Sequence, residues 1–226
     1  NPAKIIKKIK RKLNIGVITY NKPHARTNEL IKGLQKKNKY NISIIINKFK
    51  KFNERKIYNK HRPEQFNIKK NINSFNKYKI EDIDKLDHID YFLIGGSQII
   101  KKKYLQKNII INCHSGLIPI SRGLDSLKWA IYQKKHIGVS LHFIDEDTDS
   151  GFVFSHKKTP FLKNDKFNKL AIKHYRNEIN ALINFEKHLW NGNTVDLKIN
   201  KNSKPNKRMP ENIEKNLEVY LKNYFN

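Results

Sequence analysis

Residues 111–151 read INCHSGLIPISRGLDSLKWAIYQKKHIGVSLHFIDEDTDSG, and this stretch decides the fold class and holds the candidate site. The apolar run of residues 109–111 predicts a strand that ends at Asn112 and His114. Residues two apart in a strand project from the same face, so we expect both side chains to face one site. Asp149 follows in an acidic loop. The sequence therefore predicts that three polar groups meet beyond the ends of strands.

The residue types at these positions suit the transfer of an acyl group to an amine. Such a reaction creates an oxyanion, and an Asn amide and an imidazolium are among the few side chains that can donate hydrogen bonds to it. A carboxylate near the imidazole raises the pKa of the ring and can relay the proton that the amine loses. We therefore assign Asn112 and His114 to the oxyanion, and Asp149 to the support of His114 and to proton removal.

Each candidate residue also has a purely structural interpretation. A His at a strand end is, without further context, more often a hydrogen-bonded packing residue. The acidic run Asp145-Glu146-Asp147 would ordinarily be a solvated turn. Cys113 lies between the two residues that face the site, so we expect its side chain to point into the core and not to act as a nucleophile.

Strand-like and helix-like periods alternate along the chain, which predicts an α/β domain with a mostly parallel central sheet flanked by helices. Strands are expected at residues 13–19, 42–46, 91–94, 138–144 and 152–158, and helices at residues 26–37, 125–132 and 165–190. Asp125 is expected to cap the second helix, and residues 47–79 to form a long loop. We expect a basic leader at residues 1–12, one domain at residues 13–192, and an extension at residues 193–226 that packs on that domain.

The net charge of +27 is the strongest anomaly in the composition. It suggests a nucleic acid or an anionic membrane as partner. However, Lys, Asn and Ile are enriched throughout the chain, and no basic groove is interleaved with aromatic residues. We therefore expect no obligate nucleic acid. The basic run of residues 4–12 places Ile5, Ile9 and Leu13 on one helical face, which permits a weak association with an anionic membrane surface or, alternatively, an exposed leader.

Cysteine and histidine usage limits the remaining classes. One Cys in 226 residues excludes a disulfide framework and suits a reducing compartment, so we expect a cytoplasmic protein. No apolar run approaches the length of a membrane span. The histidines lack the paired spacing of metal ligands, so we expect no metal. His174 and His188 are expected to be packing or surface residues.

A longer series of spaced residues continues from the strand-end pair. It comprises Asn112-x-His114-x-Gly116-Leu117-Ile118-Pro119, Arg122-Gly123, Trp129-Ala130-Ile131, Gly138-Val139, His142, Ile144-Asp145 and Asp149-x-Gly151. In this order the series resembles the formyltransferase family that uses formyl-tetrahydrofolate. The resemblance extends more weakly to Ile94-Gly95-Gly96 and Arg208-Met209-Pro210. It implies a Rossmann-like fold, and N10-formyltetrahydrofolate as cosubstrate.

The resemblance also implies where the folate would bind. A Gly-Gly pair at the end of a buried strand allows a ligand to approach the backbone closely, although turns use such pairs constantly. The acidic loop would line the pterin pocket. The implied folate-binding residues are Gly95, Gly96, Ser97, Gln98, Ile99, Ile100, Asp145, Glu146, Asp147 and Thr148.

Departures from well-known members of this family narrow the acceptor. Members that formylate glycinamide ribonucleotide carry a Gly- and Ser-rich phosphate loop after the first strand, whereas residues 19–24 here read TYNKPH. Members that formylate initiator methionyl-tRNA carry an additional C-terminal barrel, whereas only residues 191–226 follow the last long helix expected here. The compact sugar N-formyltransferases, which formylate nucleotide-linked amino sugars for polysaccharide biosynthesis, are the most similar remaining class. Candidate acceptor-binding residues are Tyr20, His24, Arg26, His61, Arg62 and Arg122, with His61 and Arg62 favoured because the rigid Pro63 follows them.

Three other functions remain open from the sequence. Water in place of the amine would make the chain a formyltetrahydrofolate hydrolase. The net charge leaves a methionyl-tRNA formyltransferase-like enzyme as a further alternative. A non-catalytic protein that binds folate or nucleic acid is the third, and it would show ligand binding without turnover.

Overall fold

The computed structural model describes residues 11–49, 56–66, 75–146, 149, 151–190 and 204–225. Its strands are β1 (Leu13–Tyr20), β2 (Tyr40–Asn47), β3 (Lys77–Lys79), β4 (Tyr91–Ile94), β5 (Ile110–His114), β6 (Gly138–Phe143) and β7 (Val153–Lys158). Its helices are α1 (Ala25–Lys36), α2 (Ser126–Tyr132), α3 (Phe167–Ile183), α4 (Phe185–Trp190), α5 (Glu211–Lys215) and α6 (Leu217–Lys222). Short 3-10 segments lie at Ile80–Lys85, Lys102–Tyr104 and Asn223–Phe225.

The strands form one seven-stranded sheet in the order β3-β2-β1-β4-β5-β6-β7. The pairs from β3 to β5 are parallel, and β6 and β7 join the sheet antiparallel. This arrangement confirms the expected α/β fold with a mostly parallel sheet. Because β1, β4 and β5 run in the same direction, their carboxyl ends meet at one edge, where ligands bind in such sheets.

The core lies on both faces of this sheet, as the alternation of side chains along a strand requires. In β1, Val17 joins a cluster with Leu30 and Leu34 of α1 and Leu182 of α3. Ile18 packs on the opposite face. These side chains are almost fully buried, and burying each one stabilises the fold by roughly 1.5–3 kcal/mol.

The helix predicted at residues 165–190 is wrong as a single element, because it begins later and is broken. Asp165 precedes α3, where its carboxylate accepts a hydrogen bond from the Leu162 backbone at 3.0 Å and pairs with two lysines of α3. Asn184 separates α3 from α4, and its amide donates to the Asn180 carbonyl at 2.7 Å. Asn side chains compete in this way for backbone groups, which interrupts helices.

The predicted role of Asp125 as a helix cap is also wrong. Its backbone lies in the left-handed region with φ +53, and its side chain makes no capping hydrogen bond. The carboxylate instead accepts a hydrogen bond from the Met209 backbone at 3.0 Å and pairs with Lys128 and Arg208. The competing partners are cations and a distant backbone N–H, which local sequence does not reveal.

The C-terminal residues 204–225 return to α2. Met209, Leu217 and Leu221 are buried in one cluster with Leu127 of α2 and Leu170 of α3. A parallel bridge joins Asn206 to Gly123 just before α2. The terminal segment therefore packs on the same body as the sheet.

Other sequence expectations concern parts of the chain at its ends and in the long loop. Residues 1–10 of the basic leader lie outside the described residues, as do residues 50–55 and 67–74 of the loop expected at 47–79. That loop ends in the short strand β3, which the sequence analysis did not predict. Among the described helices, none is long and apolar enough to cross a membrane.

Candidate active site

Strand β5 delivers Asn112 and His114 to the carboxyl edge of the sheet, as the alternation predicted. Cys113 between them is 1% exposed and packs in the core, which confirms its expected orientation. Burial raises the pKa of the Cys113 thiol well above its usual range. The thiol therefore stays protonated and is a poor nucleophile.

His114 is buried, and both of its ring nitrogens have oxygen partners. Its Nδ1 lies 3.2 Å from Oδ1 of Asp149. Its Nε2 lies 2.9 Å from the Ser121 carbonyl and 3.0 Å from Oγ of Ser126. Ser126 donates its hydroxyl proton to the Gly123 carbonyl, so Nε2 is the donor toward both serine oxygens. A proton on each ring nitrogen satisfies all these acceptors.

The electrostatics of this pair agree with that protonation. Burial lowers the pKa of His114, but the charge of Asp149 and its hydrogen bond outweigh burial, and the net pKa is raised. Burial likewise raises the pKa of Asp149, but the charge of His114 and the hydrogen bonds lower it to about 2. Asp149 also accepts a hydrogen bond from the Gly123 backbone N–H at 3.0 Å. The site therefore holds a carboxylate beside an imidazolium.

Asn112 is oriented by His142, which stands opposite it in the antiparallel register of β5 and β6. Nδ2 of Asn112 lies 3.3 Å from Nε2 of His142. Burial lowers the pKa of His142 to about 4, so the ring is neutral near pH 7 and accepts this hydrogen bond. An Asn amide carries two N–H groups, which leaves the second one for a ligand.

The loop that was predicted to approach folate follows β4. The space that a Cβ would need at Gly95 is filled by Thr27, and at Gly96 by His24 and Tyr20. Both glycine N–H groups donate to the Ile18 carbonyl. Internal packing therefore explains the glycines, and their contact with a ligand stays a prediction.

The remaining residues of the predicted folate pocket fall into two sets. In the loop after β4, Ser97 accepts a hydrogen bond from the Tyr20 hydroxyl at 2.9 Å, Ile99 is 88% exposed, and Ile100 is buried. In the acidic loop, Glu146 is exposed and pairs with Lys102 at 2.6 Å. Asp145 and Gln98 lie in the same two loops, whereas Asp147 and Thr148 lie outside the described residues. Only Ile99 offers a large unburied apolar side chain in this set.

Arg26 and Arg62, two of the predicted acceptor-binding cations, converge on Glu178 of α3. Arg62 places two nitrogens at 2.6 and 3.2 Å from the Glu178 carboxylate, and Arg26 pairs with it at 3.1 Å. Arg26 also donates to the carbonyls of Gly95 and Cys113, both at 3.2 Å. Both cations are therefore already paired with Glu178, whose single negative charge balances one of them, and binding an acceptor would compete with this contact.

The other predicted acceptor residues lie on two sides of the site. His61 has its Nδ1 3.9 Å from Asp125, and Arg122 is buried within the loop whose Ser121 carbonyl contacts His114. Tyr20 and His24 form an aromatic cluster with rings 5.2 Å apart. Burial lowers the pKa of His24 to about 3, so this His is neutral.

Four residues of this arrangement were missed by the sequence analysis in their roles: Ser121, Ser126, His142 and Glu178. His142 was recognisable, because the alternation in β6 puts Ser140 and His142 on one face. Ser121 acts through its backbone carbonyl, for which no side-chain pattern exists. Glu178 lies on the buried face of α3, whereas a Glu in a helix would ordinarily be expected to face solvent.

Comparison with known proteins is consistent with this geometry. The family model described as formyl transferase matches residues 14–185. The chain belongs to the formyl transferase family. The matched range runs from the second residue of β1 to just beyond α3, and it contains every residue of the candidate site.

Individual relatives of this formyl transferase family member are more distant. A methionyl-tRNA formyltransferase from Finegoldia magna is 30% identical over 89 residues, which is 38% of this chain and 28% of the relative. The match thus spans less than a third of that curated relative. An N-formyltransferase from Helicobacter canadensis, solved with folinic acid and dTDP-3-aminofucose, is 16% identical, with a TM-score of 0.56 and coverage of 94% and 80% of the two chains. A phosphoribosylglycinamide formyltransferase from Campylobacter jejuni is 19% identical, with a TM-score of 0.57 and coverage of 76% and 94%. These two likenesses establish the fold and do not separate their acceptors.

Proposed function

We propose that this chain transfers the formyl group of N10-formyltetrahydrofolate to the primary amine of a small acceptor, a nucleotide-linked amino sugar. The observation that carries the proposal is the imidazolium–carboxylate pair of His114 and Asp149 beside Asn112, in a chain of the formyl transferase family. A folate is supported as cosubstrate because solved relatives of this fold are described with folinic acid.

Asn112 and His114 stabilise the oxyanion that forms when the amine attacks the formyl carbon. Asn112 supplies its second amide N–H. His114 supplies its positive charge, because both its N–H groups are engaged, and it donates a hydrogen bond to the substrate only when the substrate replaces Ser121 or Asp149 as acceptor. Preorganised donors of this kind lower such barriers by roughly 3 kcal/mol each.

Asp149 keeps His114 charged and accepts a hydrogen bond from the attacking amine. Its side chain is 15% exposed, and a carboxylate can accept more hydrogen bonds than the two it accepts from His114 and Gly123. With a pKa of about 2 it is a weak base, so its main contribution is electrostatic. After the attack has made the nitrogen acidic, the amine proton passes through Asp149 to water. The tetrahedral intermediate then collapses, the bond between the formyl carbon and N10 breaks, and N10 takes up a proton from water as tetrahydrofolate leaves.

The acceptor side is formed by a cavity of about 270 Å³ at the carboxyl ends of β1 and β2. Lys22 and Lys77 line it together with Tyr20, and Lys22 lies 3.5 Å from the ring centroid of Phe49. Aromatic rings can stack on a nucleobase, and the lysines supply charge for phosphate groups. This chemistry suits a nucleotide-linked sugar and supports placing Tyr20, which lines the cavity, among the acceptor-binding residues.

The test is a mass-spectrometric assay with N10-formyltetrahydrofolate and a pool of nucleotide-linked amino sugars. Wild type should add one formyl group to one sugar, and His114→Ala should not, while the exposed control His88→Ala should match wild type. Consumption of folate without a formylated acceptor would replace the proposal with hydrolysis. Formylation of methionyl-tRNA added to a parallel reaction, with all sugars unchanged, would replace the sugar acceptor with tRNA.

A further inference from the structure

The loop of residues 121–125 holds both members of the charged pair. The Ser121 carbonyl accepts the hydrogen bond from Nε2 of His114, and the Gly123 N–H donates to Oδ2 of Asp149. The Ser121 hydroxyl donates to the Ser126 carbonyl at 3.0 Å, which ties the loop to the start of α2. The position of this loop therefore sets the relative position of His114 and Asp149.

A second segment, residues 206–209, holds this loop from the other side; we call it the strap. The Asn206 N–H donates to the Arg122 carbonyl at 2.9 Å, and the Leu124 N–H donates to the Asn206 carbonyl at 2.9 Å. Gly123 lies between these two bonds with φ +87, and a Cβ there would collide with the Asn206 backbone. The contact requires glycine at position 123 and leaves no space between loop and strap.

The strap is itself fixed at several points. The indole of Trp129 donates to the Lys207 carbonyl at 2.8 Å. Asp125, at the end of the loop, accepts a hydrogen bond from the Met209 backbone at 3.0 Å and pairs with Arg208 at 3.1 Å. The Met209 side chain is fully buried. The strap is therefore a rigid support for the loop.

We propose that residues 206–209 are a positioning segment for formyl transfer, which hold the 121–125 loop against the His114–Asp149 pair. The inference rests on the proposed function for its catalytic consequence. The family-model match ends at residue 185 and does not cover the strap, where only Arg208 and Met209 take part in the weaker resemblance described above. None of its atoms needs to touch substrate.

The test compares two variants of one residue in the full chain. Asn206→Pro removes the backbone N–H that bonds to Arg122 and puts the proline ring against that carbonyl, so it should separate the strap from the loop. Asn206→Ala keeps that N–H and is the matched control. Two quantities are measured: the pKa of the His114 ring by NMR, with its signal assigned by loss in His114→Gln, and the kcat and KM for formyl transfer. In Asn206→Pro we expect the His114 pKa to fall toward 6.5 and kcat to fall roughly 10- to 100-fold, with the KM for folate within about twofold of wild type.

The two readouts separate the possible failures. An unchanged His114 pKa in a folded Asn206→Pro variant overturns the proposed role of the strap. So does a loss of kcat in Asn206→Ala that equals the loss in Asn206→Pro. If Asn206→Pro does not fold, Trp129→Phe removes the indole hydrogen bond to Lys207 and keeps an aromatic ring at that position. An unchanged His114 pKa and kcat in that variant overturn the proposed role of the strap as well. A lowered pKa without formyl transfer by wild type to any amine supports the strap and rejects the proposed function.

Discussion

Two buried carboxylates with cationic partners lie close to each other in this protein. They differ in how exposed the carboxylate is and in how many cations it faces. In the first, Asp149 is 15% exposed and faces one cation, the titratable His114. In the second, Glu178 is 1% exposed and faces two permanent cations, Arg26 and Arg62. The charges of these cations lower the carboxylate pKa to about 2 in both cases, against the effect of burial.

The difference shows that burial and pairing alone do not identify a reactive site. The Glu178 carboxylate is engaged by both guanidinium groups, and it links α1, α3 and the 56–66 segment. Asp149 keeps unused acceptor capacity at a partly open edge of the sheet. We therefore expect the first pair to govern rate and the second to govern stability.

The largest expected effect is on the Glu178 cluster. Glu178→Gln leaves two guanidinium groups without their counter-charge, which should lower the free energy of unfolding by about 3–5 kcal/mol. Urea denaturation followed by circular dichroism measures this loss. Glu81→Gln, at an exposed position, is the control and should be near wild type. A loss of less than about 1 kcal/mol for Glu178→Gln would mean that the cluster is not structural.

His114→Ala should lower the activity strongly and the stability little, the opposite of Glu178→Gln. We expect kcat/KM for formyl transfer to fall by roughly 10²–10³-fold, since the charge at the oxyanion is lost. The stability loss should be smaller than for Glu178→Gln, because the Asp149 that remains is partly exposed and keeps its bond to Gly123. Steady-state kinetics and urea denaturation on the same sample make the comparison. Retention of more than about a tenth of the activity would show that His114 does not stabilise the oxyanion.

The pH dependence of stability should separate His114 from the other buried histidines. The raised pKa of His114 stabilises the folded state below the usual value of 6.5, and this contribution is lost as pH rises through the raised pKa. His174 is buried with its pKa lowered to about 4, so the unfolded state binds its proton first and stability falls as pH drops from 6.5 toward 4. Denaturation from pH 4 to 8 should show that His114→Gln loses most stability at the acid end and His174→Gln loses least there. Parallel curves for the two variants would contradict the assignment.

The smallest effect is expected at an exposed pair. Glu146 and Lys102 have side chains 54% and 65% exposed, so Glu146→Gln should change the free energy of unfolding by no more than about 0.5 kcal/mol. The same variant tests the folate loop, because a rise in the KM for folate without a change in stability would place Glu146 in the pocket. An unchanged KM for folate would exclude Glu146 from the folate pocket.

The local part of the site could be predicted from sequence. Strand alternation alone put Asn112 and His114 on one face and Cys113 in the core, and the family resemblance singled out Asp149 in the acidic loop. The fold class followed from the alternation of periods. These features depend on residues close together in the chain.

The parts that were missed depend on distant partners. Arg26 and Arg62 were assigned to an acceptor because their charges suit phosphate groups, and the sequence did not reveal that Glu178, more than a hundred residues away, engages both. Asp125 was assigned to a helix cap because Asp commonly caps helices, whereas Met209 and Arg208 compete for it. Sequence patterns reveal whether a segment is a helix or a strand and which of its faces is buried. They do not reveal which distant charged residue a side chain on that face will contact.

The two edge strands of the sheet give the unusual net charge a local consequence. The edge strand β3 carries exposed Lys77 and Lys79, and the edge strand β7 ends in exposed Lys157 and Lys158. A second copy that added its own edge to either strand would bring lysines next to lysines, and like charges directly opposite in a sheet are destabilising. The basic composition therefore discourages edge-to-edge aggregation in a concentrated solution, and added salt should weaken that protection.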